Sequence, residues 1–113
     1  MSARLEARLW LVQRLTAAIL ALCVIVHLIT IVYAVRGGLS AGEILGRTRG
    51  SRAWGSFYTV FVLAAAVHGA IGLRTVAAEW LGLRGAAAAW TMAAIALALA
   101  ATGLRAVLAV VAT

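Results

Sequence analysis

His27 and His68 are the only imidazoles in this chain of 113 residues, and each lies inside a long uncharged apolar run. An ionisable side chain at bilayer depth is costly and marks a functional site by default. Histidine is also an axial ligand of haem iron, so haem ligation is the first chemistry to weigh. The plainer alternative for a lone histidine is helix packing with one hydrogen bond to a neighbour. Two histidines, with no Asp, Glu, Lys or Arg inside the apolar runs, favour ligation over packing.

The composition puts these residues in a membrane. Hydrophobic residues make up 65% of the chain, far above a soluble domain. A single membrane-anchor domain over 1–113 is expected. All ten basic residues are Arg, against Glu6, Glu43 and Glu79, for a formal net charge of +7. The arginines punctuate apolar runs instead of forming a block, which argues against nucleic acid as a partner. Cys23 is the only cysteine, so no intrachain disulfide forms, and no C-x-x-C-H is present for covalent haem attachment. Arg4, Arg8 and Arg14 precede an apolar run long enough to span, which reads as a retained helix and not a cleaved leader.

Charged residues cut out three uncharged stretches, 15–35, 54–73 and 85–104, of 21, 20 and 20 residues. Each is roughly 30 Å long as a helix, the thickness of the hydrocarbon core. The fold class expected is an all-α membrane protein, with three transmembrane helices over about 9–35, 54–80 and 85–110. These would form part of a larger heteromeric bundle. Residues 36–53 read as a loop rich in Gly, Ser and Arg, while 74–84 continues the helix past the interface. Trp10, Trp54 and Trp80 fall near span ends, where interfacial anchors sit. Five arginines on one side against four on the other leave orientation undecided.

Gln13, Thr16, Cys23, His27 and Thr30 fall in one stripe of the first helix, so that stripe should face a bundle. Arg14 lies nearly opposite, at the boundary, where it can snorkel. Phe61, Ala64, Ala65, His68, Gly72 and Thr75 share a face of the second helix, with small residues around the histidine. Small residues let another helix approach and leave room for a flat ring. On the third helix Met92 is taken as filler, and Arg105 as an anchor or a partner for a haem propionate. His27 lies thirteen residues past Arg14, and His68 six before Arg74. That puts them roughly 20 Å and 9 Å in from the same side. Axial nitrogens on one metal are only about 4 Å apart, so one haem cannot take both. Each histidine would serve its own haem, with second ligands from another subunit.

These residues resemble a known family. His68-Gly-Ala-Ile-Gly72-Leu-Arg74, followed by Glu79, resembles the H-x-x-x-G-[IL]-R signature of the cytochrome b membrane anchors of succinate dehydrogenase and fumarate reductase. Gln13-Arg14-Leu15-Thr16-Ala17 is similar to that family's H-R-x-[ST]-G. The resemblance covers the chain to about residue 82. It departs at Gln13 and Thr75, where the family often has histidine.

The resemblance implies haem b as cofactor, with His68 the axial ligand of the haem nearer the iron–sulfur subunit. It implies a distal haem at His27, as in the two-chain, di-haem branch. Arg14 would contact a propionate or quinone oxygen, with Gln13 and Thr16 nearby, and Gly72 and Arg74 would flank the haem. Implied partners are a second membrane anchor, an iron–sulfur subunit, a flavoprotein subunit, quinone and the bilayer. The implied setting is the respiratory chain of a bacterial cytoplasmic membrane. The chain itself would be a non-catalytic electron-transfer subunit. Two rivals are a haem-free anchor of the same complex and a small transporter or assembly protein using the histidines. The second lacks an intramembrane carboxylate to pair with histidine.

Overall fold

The computed structural model describes residues 2–112, and every element among them is helical. Helix α1 spans Ala3–Gly37, α2 Ala41–Thr48, α3 Arg52–Leu81 and α4 Gly85–Val111. Three of them, α1, α3 and α4, are long and apolar enough to cross a membrane. Their boundaries have local causes. Ser2 caps α1 by accepting from the Leu5 amide, and Ser51 caps α3 by accepting from Trp54. Gly82 closes α3 in the left-handed region at φ 67°, which favours glycine.

Helix α3 lies in the middle, packed antiparallel against α1 on one side and α4 on the other. Its buried residues are Ala64, Ala66, Ala70 and Ile71. Such short side chains let backbones close in, which is how helices associate where lipid gives no hydrophobic drive. Gly103 of α4 shows the limit of this approach. A Cβ there would collide with the Val62 side chain of α3. Most large apolar side chains point outward, among them Leu22, Ile29 and Leu97. That is the pattern of a chain solvated by hydrocarbon or by other membrane helices.

Helix α2 corrects the expectation of a plain loop over 36–53. Its start is a capping box. Ser40 Oγ accepts from the Glu43 amide, and the Glu43 carboxylate accepts from the Ser40 amide at 3.1 Å and hydroxyl at 2.9 Å. Arg47 donates to the Gly38 carbonyl at 2.9 Å and lies over the Tyr33 ring. Thr48 donates to the Val110 carbonyl at 2.6 Å, and the Gly50 amide to Val111 at 2.8 Å, so α2 is tied to the end of α4. Gly38, at φ 120°, is required in the turn, since a Cβ would strike the Glu43 carboxylate.

Two outcomes follow from this packing. Gly103→Ala should lower the thermal midpoint in detergent, with an overpacking cost of about 1–3 kcal/mol, and Val62→Ala in the same chain should restore it. The Ser40 hydroxyl, the Ser40 amide and the Arg47 charge hold the Glu43 carboxyl below its ordinary range. A depressed carboxylate pKa adds stability above the unfolded value and loses it as pH falls through the folded value. Amide exchange over 40–48 should therefore stay slow through mildly acidic pH and quicken only below the ordinary carboxylate range. In Glu43→Gln the acid-dependent step should vanish.

Candidate functional site

The α1–α3 seam carries both histidines, at different levels. At one level His68 Nδ1 stands 3.2 Å from Thr16 Oγ1. Thr16 has a single hydroxyl proton, and its own helix takes it. Oγ1 lies 2.8 Å from the Val12 carbonyl and 3.1 Å from that of Gln13. The hydroxyl thus offers His68 a lone pair, which assigns the proton to Nδ1 and leaves the lone pair on Nε2. Thr16 is buried, and His68 half-buried with Nε2 making no hydrogen bond among the described residues. An imidazole whose distal N–H is held by a second group is the usual form of a metal-ligating histidine.

Gln13 stands beside this pair. Its Nε2 approaches Gly72 so closely that a Cβ there would lie 3.4 Å away. Its Oε1 is buried with no donor. The structure therefore brings Gln13, Thr16, His68 and Gly72 together. Arg14 is not with them: it is exposed on the far side of α1, its guanidinium 5.3 Å from the Trp10 ring centre. Arg74 follows half a turn beyond Gly72 and is half-buried. Of the face expected on α3, Ala64 is buried and Phe61, His68 and Gly72 are half-buried, whereas Ala65 and Thr75 are exposed.

At the other level His27 packs edge-on against Phe61 and Tyr58, with ring centres 5.5 and 5.9 Å away. Along α3 these partners lie seven and ten residues before His68, roughly 10–15 Å. His27 Nδ1 is buried without a partner. An orphaned buried nitrogen costs on the order of 1–3 kcal/mol. The same imidazole lines a cavity of about 740 Å³ bounded by α1, α2 and α3. Among the described residues no three His, Cys, Asp or Glu side chains converge, so each imidazole stands as a single candidate ligand from this chain.

Sequence reasoning did not find the cavity. Its walls include Arg47 and Thr48 from α2 and Trp54 and Tyr58 from α3. Trp54 is half-buried and stacks on Tyr58, with Phe57 beside both, so it is more than an interfacial anchor. Two signals were available. Ser40 and Glu43 have capping-box spacing, and Trp54, Phe57, Tyr58 and Phe61 repeat at helical spacing ahead of His68.

Three apolar helices with one imidazole at each of two depths define a multi-pass membrane subunit. The family model for the succinate dehydrogenase/fumarate reductase transmembrane subunit matches residues 1–105, and the chain belongs to that family. No curated protein and no solved structure gives a match.

The Thr16–His68 contact is open to direct test. Thr16→Val removes the acceptor and strands a donor, at about 1–3 kcal/mol, so the melting temperature of the purified complex should fall. Thr16→Ser keeps the hydroxyl and should stay close to the parent. Equal melting temperatures for both variants would contradict the assigned bond.

Proposed function

We propose that this chain is a haem b-carrying anchor that passes electrons between the iron–sulfur subunit of its complex and a membrane quinone. Family membership supports its place beside the other subunits of a succinate dehydrogenase or fumarate reductase. The observation that carries the haem reading is the 3.2 Å contact between Thr16 Oγ1 and His68 Nδ1, which supports an Nδ1–H tautomer with Nε2 free to ligate. Haem, when bound, supplies one-electron storage between clusters and quinone. This chain's residues do the rest. His68 and His27 each give one axial nitrogen, and Thr16 fixes the first of them.

The residues fit such a group. His68 sits at the partly open edge of the seam, with exposed Ala65 beside it, and His27 lines a cavity. Because the imidazoles lie at separate levels and the chain has no third histidine, the remaining ligands come from a second membrane anchor. Gln13, with its unpartnered amide oxygen, and Thr16 are the proposed quinone-side residues of this chain. Arg14, on the opposite face, acts at the membrane boundary or against a partner subunit. The proposed location is a bacterial cytoplasmic membrane.

Haem stoichiometry of the purified complex, measured by the pyridine haemochrome assay, tests this reading. Two haems are expected, with one lost in His27→Ala and one in His68→Ala. A single haem lost only in His68→Ala would make His27 a packing residue. A complex with no haem would overturn the cytochrome reading and leave a haem-free anchor.

A further inference from the structure

The cavity at the His27 end of the seam has two chemically distinct ends. At the inner end stands the His27 imidazole, whose Nε2 makes no hydrogen bond among the described residues. At the outer end, where α2 crosses, stands the Arg47 guanidinium. Its direction is fixed by the 2.9 Å bond to the Gly38 carbonyl and by the Tyr33 ring 5.6 Å away. The Gly38 bond uses one of five N–H donors, which leaves most of the fork available. The wall between the two ends is apolar and aromatic, with Leu39, Ile44, Trp54 and Tyr58. His27 and Tyr33 are six residues apart on α1, about 9 Å.

We propose that this cavity takes a metalloporphyrin, with α2 as its floor and Arg47 as the group that binds the carboxylate edge. The inference rests on His27 being an axial ligand, and it assigns a role to α2. One imidazole, a flat apolar slot and a forked cation match a ligand with a metal centre, an apolar body and an acidic rim. A phospholipid would use the cation and the slot but not an imidazole set a full turn and more below the surface. A quinone head is one small ring with no acid group, too short to engage both ends. The capping box, the Thr48–Val110 bond and the Gly38 turn then have a common purpose: they hold a short helix, and the arginine on it, in place.

The test uses the purified complex and the haem signal that disappears in His27→Ala. Arg47→Gln removes a positive charge that favours the reduced haem. It should shift that haem's reduction equilibrium about tenfold toward the ferric form, which is 59 mV for one electron. Arg47→Lys, which keeps the charge, should stay within about twofold. If Arg47→Gln does not assemble, Arg47→Met keeps the stem over Tyr33 and should show the same tenfold change. Loss of a haem in His27→Ala with no shift in the Arg47 variants would overturn this inference and leave the ligand reading intact. Retention of every haem in His27→Ala would overturn both. A fall in phospholipid phosphorus per complex in Arg47→Gln, at unchanged potential, would make the cavity a lipid site and refute the porphyrin assignment.

Discussion

Hydrocarbon offers no hydrogen-bond partner, so each polar group placed in it needs one inside the protein. That constraint orders this chain. Thr16, Thr30, Thr59, Thr75, Thr91 and Thr102 all donate to a carbonyl three or four residues back on their own helix. Each hydroxyl is thereby satisfied without leaving its helix. Thr16 is the informative case, because its lone pairs remain available after its proton is spent, and His68 takes one. A back-bonded threonine thus becomes a fixed acceptor, and it sets the tautomer of a histidine on another helix. Among the described residues, Gln13 Oε1 and His27 Nδ1 are the two buried side-chain atoms left without partners. Both lie along the α1–α3 seam, where a ligand or second subunit can meet them.

Packing density is distributed unevenly, and the unevenness makes room for the site. The α3–α4 contact is tight, with Gly103 against Val62 and Gly69 against Leu99. The α1–α3 contact is close near Gly72 and Thr16. Toward the other end, large rings on α3 face α1, and Phe61 and Tyr58 meet His27 edge-on. Rings of that size keep the helices apart where small residues would let them close. The cavity at His27 is the consequence. Helix α2 lies across this wider end, fixed to α4 through Thr48 and to the end of α1 through Arg47 and Gly38. One sequence gradient along α3, from aromatic to small, therefore accompanies a close helix contact at His68 and a cavity at His27.

Much of this was legible in the residues. Uncharged runs of spanning length gave three helices, because charge is excluded from hydrocarbon more strictly than any propensity operates. The polar stripe of α1 is its inward face: Thr16 and Cys23 are buried, and Gln13, His27 and Thr30 half-buried. What was not legible has physical reasons. A Gly-, Ser- and Arg-rich segment suggests a loop by composition, yet the Ser40–Glu43 box and the two ties to α4 order eight residues as α2. Periodicity placed Ala65 beside His68, yet Ala65 is exposed while its neighbours Ala64 and Ala66 are buried. Hydrogen bonds such as Thr16–His68 join residues 52 apart, and pattern within one helix cannot reveal them.

The exposed side of the seam bears on how the subunit assembles. His68 is half-buried with its free nitrogen unbonded, and Ala65 next to it is bare. A lone polar nitrogen facing lipid is unfavourable, whereas the same nitrogen facing a second helix and a shared ligand is satisfied. Small residues at that edge are what a close neighbour needs. The outward large side chains Leu22, Ile29 and Leu97 fit a chain whose remaining surface meets lipid or other subunits. On the proposed reading, a chain that gives each site one nitrogen is half of a binding site twice over. A partner that closes the open edge would then stabilise the folded anchor by binding it, which would tie folding of the anchor to assembly of the complex.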